Sequence, residues 1–205
     1  MLSRQASQDD APILSQLIYY SAPDALAATF DINAELSVLN FLVSCLLTSG
    51  GQYGFENHWI SEIDNQVAGC LSTWQSDLPD SFHQATLIKL THFYGVAHAL
   101  SIVQASRALQ DCIPKLKNHE LCIGHFAVFA KYQRRGIATN LLRFAQQKAL
   151  ICGKSVLCLD VESKNTQAID FYLGRGFKQE SESGISQRMQ TLGIGSHLHF
   201  SKKLI

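Results

Sequence analysis

Between Glu120 and Phe177 the sequence sets residues that could hold a phosphorylated ligand beside residues that could move a proton. Glu120–Val128 is apolar enough for a buried strand, and it leads into the basic turn Gln133-Arg134-Arg135-Gly136. An amphipathic helix follows at once. Ala138, Leu141, Leu142, Ala145 and Ala149 recur at i, i+3, i+4, i+7 and i+11, while Thr139, Arg143, Gln146 and Gln147 lie off that face. A helix start leaves main-chain N–H groups without intrahelical partners and carries a partial positive charge. Gly136 allows close backbone approach and two arginines add charge, a combination that suits a pyrophosphate. The competing reading is an ordinary strand–turn–helix with no ligand. Neither G-x-G-x-x-G nor G-x-x-x-x-G-K-[ST] occurs, which argues against hydride and phosphoryl transfer.

These residues need a frame. Arg4–Ser7 reads as a short strand, and Asp9 or Asp10 before Pro12 starts a helix with Ile13, Leu14, Leu17 and Ile18 on one side. A second helix is predicted from Ala34 to Leu47, ending at Gly50-Gly51. His58–Ile63 and Gln66–Trp74 form a hairpin around Asp64-Asn65. Residues 78–117 look helical, with Val96, Leu100, Val103 and Leu109 spaced for one buried face. After the helix that Gly136 opens and Gly153 closes come a strand at Ser155–Val161, a short helix at Thr166–Leu173, and strands beginning at Gly176-Phe177 and His197–Lys202. Strands enclosed by helices in one short chain predict a mixed α/β sheet in a single domain spanning 1–205.

Composition removes other classes. Lys plus Arg and Asp plus Glu are each 17 in 205 residues, so no basic excess invites nucleic acid. The six cysteines are scattered without C-x-x-C and Met1–Asp10 is polar, which predicts free thiols in a cytoplasmic protein. The apolar run Val38–Leu47 is far short of a membrane span.

Gln133-Arg134-Arg135-Gly136-Ile137-Ala138 resembles the Q/R-x-x-G-x-G/A signature of the GNAT superfamily of N-acetyltransferases. Asn165-Thr166-Gln167-Ala168-Ile169-Asp170-Phe171-Tyr172 with Gly176-Phe177 resembles that family's second block, N-x-x-A-x-x-F-Y followed by G-F. Ala138 stands where the final Gly is commoner. The resemblance implies a mostly antiparallel central sheet flanked by helices, with 78–117 as a helical insertion, and acetyl-CoA as co-substrate without a metal. It implies that main-chain N–H groups from Arg134 to Thr139 hold the pyrophosphate, that Phe126, Ala127 and Val128 pair with the pantetheine arm, and that Asn165 and Phe171 line its other side. The partner it implies is an amine, a small molecule or peptide; a homodimer stays open.

For catalysis the resemblance singles out Tyr172, whose phenol could protonate the leaving thiolate. The plain alternative is an aromatic packed beside Phe171, and for Asn165 a helix N-cap. Glu120, at the start of the central strand, is the best-placed carboxylate for a base. His119 and His125 are weaker candidates, since strand parity sets His125 opposite Cys122 and Gly124. His197-x-His199 shares a strand face but finds no third metal ligand. Cys122 reads as a small buried residue, and Tyr53, Trp59 and Trp74 as an acceptor wall or core. The rival function is a non-catalytic acyl-CoA sensor with the same fold.

Overall fold

Asp64 and Asn65 both adopt positive φ, 51° and 59°, the left-handed pair that joins two right-twisted strands with least splay. The computed structural model describes residues 2–204. The hairpin connects β2 (His58–Ile63) and β3 (Gln66–Trp74), with β1 (Leu2–Gln5) outside β2. β4 (Glu120–Val128), β5 (Val156–Glu162), β6 (Lys178–Glu182) and β7 (His197–Lys203) complete one sheet in the order β1-β2-β3-β4-β5-β7-β6. Every neighbouring pair is antiparallel except β4–β5. The mixed, mostly antiparallel sheet is therefore as predicted.

Helices cover both faces. On one lie α1 (Ala11–Ser21), α2 (Pro23–Phe30), α3 (Val38–Leu46) and the long α4 (Asp80–Gln110), burying Leu14, Leu17, Phe41 and Leu42 with Ile60 and Cys70 of the sheet. On the other, α5 (Ile137–Ile151) and α6 (Thr166–Leu173) bury Leu141, Ala145 and Tyr172 against Leu157, Leu159 and Phe200. Each fully buried Leu, Ile or Phe contributes about 1.5–3 kcal/mol, so the two layers fix the sheet between them. The short α7 (Gln187–Thr191) follows β6.

The first strand lies at Leu2–Gln5, two residues earlier than the expected Arg4–Ser7, and the helices differ from the sequence reading as well. The helix predicted from Ala34 starts only at Val38, where Ser37 Oγ accepts from Asn40 N–H. The separate helix α2 was not read from the sequence, because its eight residues are too few to show a period. In the 78–117 stretch the buried face is a different one. Val96 and Leu100 are 76% and 58% exposed, whereas Leu90, Tyr94, Ala99, Ile102 and Ala105 point inward. Gly95, at φ 75° and ψ 163°, interrupts α4, so the helical phase restarts after it, and the small Ala99 and Ala105 face the core with Ile102.

Candidate active site

β4 and β5 pair only at their starts, Glu120 with Val156, Leu121 with Leu157 and Cys122 with Cys158. β5 goes on along β7 for its whole length, while Ile123–Val128 continues on β3 alone. The strands therefore diverge into a wedge that opens toward the end of β4. Along it, the β4 edge presents main-chain groups with no strand partner among the described residues. Phe126, Ala127 and Val128 are partly buried there. The Phe126 ring meets Phe171 (6.0 Å, 64°) and Tyr172 (6.2 Å, 40°), so α6 closes across the wedge.

The basic turn lies at the wide end of this wedge. Arg134 and Gly136 take positive φ, 60° and 81°, a twist that suits Gly and strains Arg. The first helical bond of α5 runs from Asn140 N–H to Gly136 O at 2.9 Å. That leaves the N–H groups of Ile137, Ala138 and Thr139 without helical acceptors, beside the exposed side chains of Gln133, Arg134 and Arg135. Gln133 ties the turn down: its Nε2 donates to Val128 O (3.4 Å) and its Oε1 accepts from Gln167 (3.3 Å). Arg175 was not singled out in the sequence. It donates to Thr139 Oγ1 at 2.8 Å and stacks on Phe171 at 4.3 Å, adding a cation to the same corner. A turn of free N–H groups and three cations is a fit for a pyrophosphate, and a narrow wedge lined by main chain is a fit for a thin arm.

Residues 44–177 match the Acetyltransferase (GNAT) family. The chain belongs to that family. No curated protein sequence matches it. Among solved structures it resembles an N-acetyltransferase from Staphylococcus aureus Mu50, at 19% identity, TM-score 0.66 and coverage of 98% of this chain and 100% of that one. It also resembles a ribosomal-protein-alanine N-acetyltransferase from Brucella melitensis, at 18% identity, TM-score 0.56 and 99% coverage of both chains. A Salmonella typhimurium protein solved with its cofactor acetyl-CoA aligns at 15% identity and TM-score 0.56, covering 100% of this chain and 94% of that one. At these identities the likeness is one of fold.

Within that family frame the remaining candidates separate. Tyr172 is 7% exposed, packed on Phe171, Phe177 and Phe200 as well as Phe126, and burial pushes its phenol well up, so it holds its proton. Asn165 caps α6, its side chain accepting from Ala168 N–H at 3.1 Å. Glu120 is buried, accepts from Lys117 N–H at 2.8 Å and lies 3.4 Å from Lys117 Nζ. Both its oxygens thus fasten the loop that enters β4, at the closed end of the wedge. His119, beside it, lies 3.9 Å from the same carboxylate. Cys122 Sγ donates to Ile123 O at 3.7 Å, and the neighbouring free thiol of Cys158 together with burial raises it well above the ordinary thiol range and keeps it neutral.

His125 overturns the parity argument. Between Cys70↔Ala127 and Ser72↔Gly124, β4 has two residues, His125 and Phe126, where β3 has only Leu71. This is a β-bulge, and His125 sits in it at φ 45°. The extra residue returns the imidazole to the face of Gly124, where His58 of β2 also points. Trp74 crosses over Gly124 and meets His125 edge-on at 5.1 Å and 85°; Tyr53 stacks on it at 5.6 Å and 22°. Of the three aromatics expected to wall an acceptor pocket, Tyr53 and Trp74 thus flank His125, while Trp59 packs under Phe144 and Lys148 of α5.

Farther away, His199 Nδ1 lies 2.8 Å from Asp160 Oδ1, and that bond raises the imidazole above its ordinary value. His197 instead meets Gly195 O. Among the described residues no group of three or more His, Cys, Asp or Glu could hold a metal ion, and no helix is long and apolar enough to cross a membrane. A cavity of about 630 Å³ opens at the far end of α5, bordered by Trp59, Thr73, Trp74, Leu78, Phe82 and Lys148. The start of α4 forms part of its wall.

Proposed function

We propose that this chain is an N-acetyltransferase that moves the acetyl group of acetyl-CoA directly to an amine. The observation that carries the reading is the turn Arg134–Thr139, with its uncommitted N–H groups, at the mouth of the β4–β5 wedge. In this reading Gln133, Arg134, Arg135, Gly136, Ile137, Ala138 and Thr139 hold the pyrophosphate. Phe126, Ala127 and Val128 bond the arm along the free β4 edge, and Asn165 and Phe171 bound its other side. The co-substrate supplies an activated thioester. Main-chain N–H groups of the bulge stabilise charge on the carbonyl oxygen, and the buried phenol of Tyr172 gives a proton to the departing sulfur.

Glu120, bound to Lys117 and distant from the bulge, serves here as the anchor of the strand and is not assigned the base. The acceptor amine approaches on the face of Gly124 and Trp74, and the reaction proceeds without a covalent enzyme intermediate. Calorimetry with coenzyme A, followed by thiol release from acetyl-CoA over a panel of amines, tests the reading. Absence of binding up to millimolar coenzyme overturns it. Tight binding without thiol release would instead mark a sensor.

A further inference from the structure

We infer that His125 is the proton acceptor for the incoming amine, and that His58 and the carbonyl of Gly54 set the tautomer that makes it one. The inference rests on the acetyltransferase reading and adds to it the base that no motif supplied.

The tautomers follow from the chain of contacts. His58 Nδ1 lies 3.0 Å from Gly54 O, and a carbonyl oxygen only accepts, so Nδ1 of His58 carries a proton. His58 is wholly buried, and desolvation pulls it down to about 4, aided by the positive charge of Lys89 from α4; it is therefore neutral. A neutral ring with Nδ1 protonated has an acceptor at Nε2. His58 Nε2 lies 2.9 Å from His125 Nδ1, which must then donate. His125, likewise held neutral by burial and by His58, is left with its lone pair on Nε2. That atom has no hydrogen-bond partner among the described residues, and the residue as a whole is of intermediate exposure.

The arrangement is also fixed in space. The two imidazoles lie nearly in one plane, edge to edge, with centroids 5.1 Å apart and planes 5° apart, while Tyr53 packs at 5.6 Å and Trp74 meets the ring at 85°. A left-handed φ at a residue with a Cβ costs about 1–3 kcal/mol, and such strain concentrates at functional positions. Here it aims the ring onto the face of Gly124, one residue from Phe126 in the wedge. Against a purely structural role, a packing residue in this bulge would not need its outer nitrogen uncapped.

The ammonium form of the amine gives one proton to His125 Nε2. The freed lone pair forms the N–C bond to the thioester carbonyl, and the C–S bond breaks. The second nitrogen proton ends on the leaving sulfur by way of Tyr172, and His125 returns its proton to water. On taking the proton, His125 keeps its Nδ1–H bond to His58 Nε2, which holds the ring in place.

His125→Asn is the informative change. The Asn amide can keep the bond to His58 and tolerates positive φ, but it has no basic nitrogen. With acetyl-CoA and phenethylamine, spermidine or an alanyl peptide, whichever the wild type acetylates, kcat should fall about 10²–10⁴-fold while coenzyme A binding is unchanged. His125→Gly should be inactive and partly rescued by free imidazole. An activity-independent readout is imidazole ¹⁵N NMR of the ligand-free protein. Both rings should show a pyridine-like Nε2, and His58→Phe should remove that signature from His125.

Should none of the three amines react, diethyl pyrocarbonate decides. Carbethoxylation of His125 that acetyl-CoA prevents supports the inference, and an unreactive His125 overturns it. Full kcat in His125→Asn, or an Nε2–H tautomer in the wild type, also overturns it. Failure of coenzyme A to bind the wild type would instead remove the acetyltransferase reading beneath it.

Discussion

Trp74 lies over Gly124 so closely that a Cβ built on the glycine would sit 1.6 Å from Cζ3 of the indole. Only hydrogen fits, and the indole so placed meets His125. Gly124→Ala must therefore displace Trp74. The expected loss is about 1–3 kcal/mol, typical of overpacking, or about 2–4 °C in Tm per kcal/mol for a chain of this size. Thermal denaturation with Trp fluorescence checks it. An unchanged Tm and spectrum would mean that the indole is not held there.

Gly136 stands at φ 81° with nothing near its missing Cβ, so its constraint is conformational and electrostatic rather than steric. Gly136→Asn, which tolerates the left-handed region, should keep most coenzyme A affinity. Gly136→Asp is the same size but puts a negative charge where phosphate is expected, and should weaken binding by a further factor of about ten or more, about 1.4 kcal/mol. Calorimetry on the pair separates charge from strain; equal affinities would argue against a phosphate at this turn.

Tyr172→Phe keeps the ring that packs on Phe177 and Phe200 and removes only the hydroxyl. The expected result is a kcat about 10²-fold lower with coenzyme affinity unchanged. Lost affinity at normal turnover would make Tyr172 a packing residue.

Asp160 raises His199, so the folded protein binds that proton more tightly than the unfolded chain does. The pair therefore stabilises fully below the unfolded value of 6.5, and the benefit disappears as pH rises through the higher folded value. His58 has the opposite sign. Its value falls to about 4, so its contribution is complete above 6.5 and is lost as pH drops from 6.5 toward 4. Denaturant unfolding at several pH values should show Asp160→Asn losing stability mainly on the acid side of neutrality. A loss independent of pH would show that His199 is not charged in the pair.

On α4, Ile102 is 1% exposed and Val96 is 76% exposed. Ile102→Ala should cost about 2–5 kcal/mol, and Val96→Ser less than about 0.5 kcal/mol. If Val96 and Leu100 instead form a contact between two copies, Val96→Ser would shift the elution volume in size-exclusion chromatography.

By itself the sequence determined what is local. The Asp64-Asn65 hairpin, the Gly136 cap, the α5 stripe and the Asn165 cap each follow from a few neighbouring residues whose φ preferences or spacing admit little else. The turn that meets the wedge and the aromatic pair Phe171-Tyr172 were legible for the same reason. Tertiary structure decided whatever depends on partners distant in the chain. Which face of α4 is buried depends on the break at Gly95 and on the helices it packs against, and no period within the segment encodes that. Parity placed His125 on the wrong face because a bulge is a mismatch between two strands, invisible in either alone. Its partner His58 lies 67 residues away, and its tautomer descends from a carbonyl in a third segment, at Gly54. A proton acceptor made from two neutral imidazoles has no local signature, because hydrogen-bond direction passes through space and not along the chain.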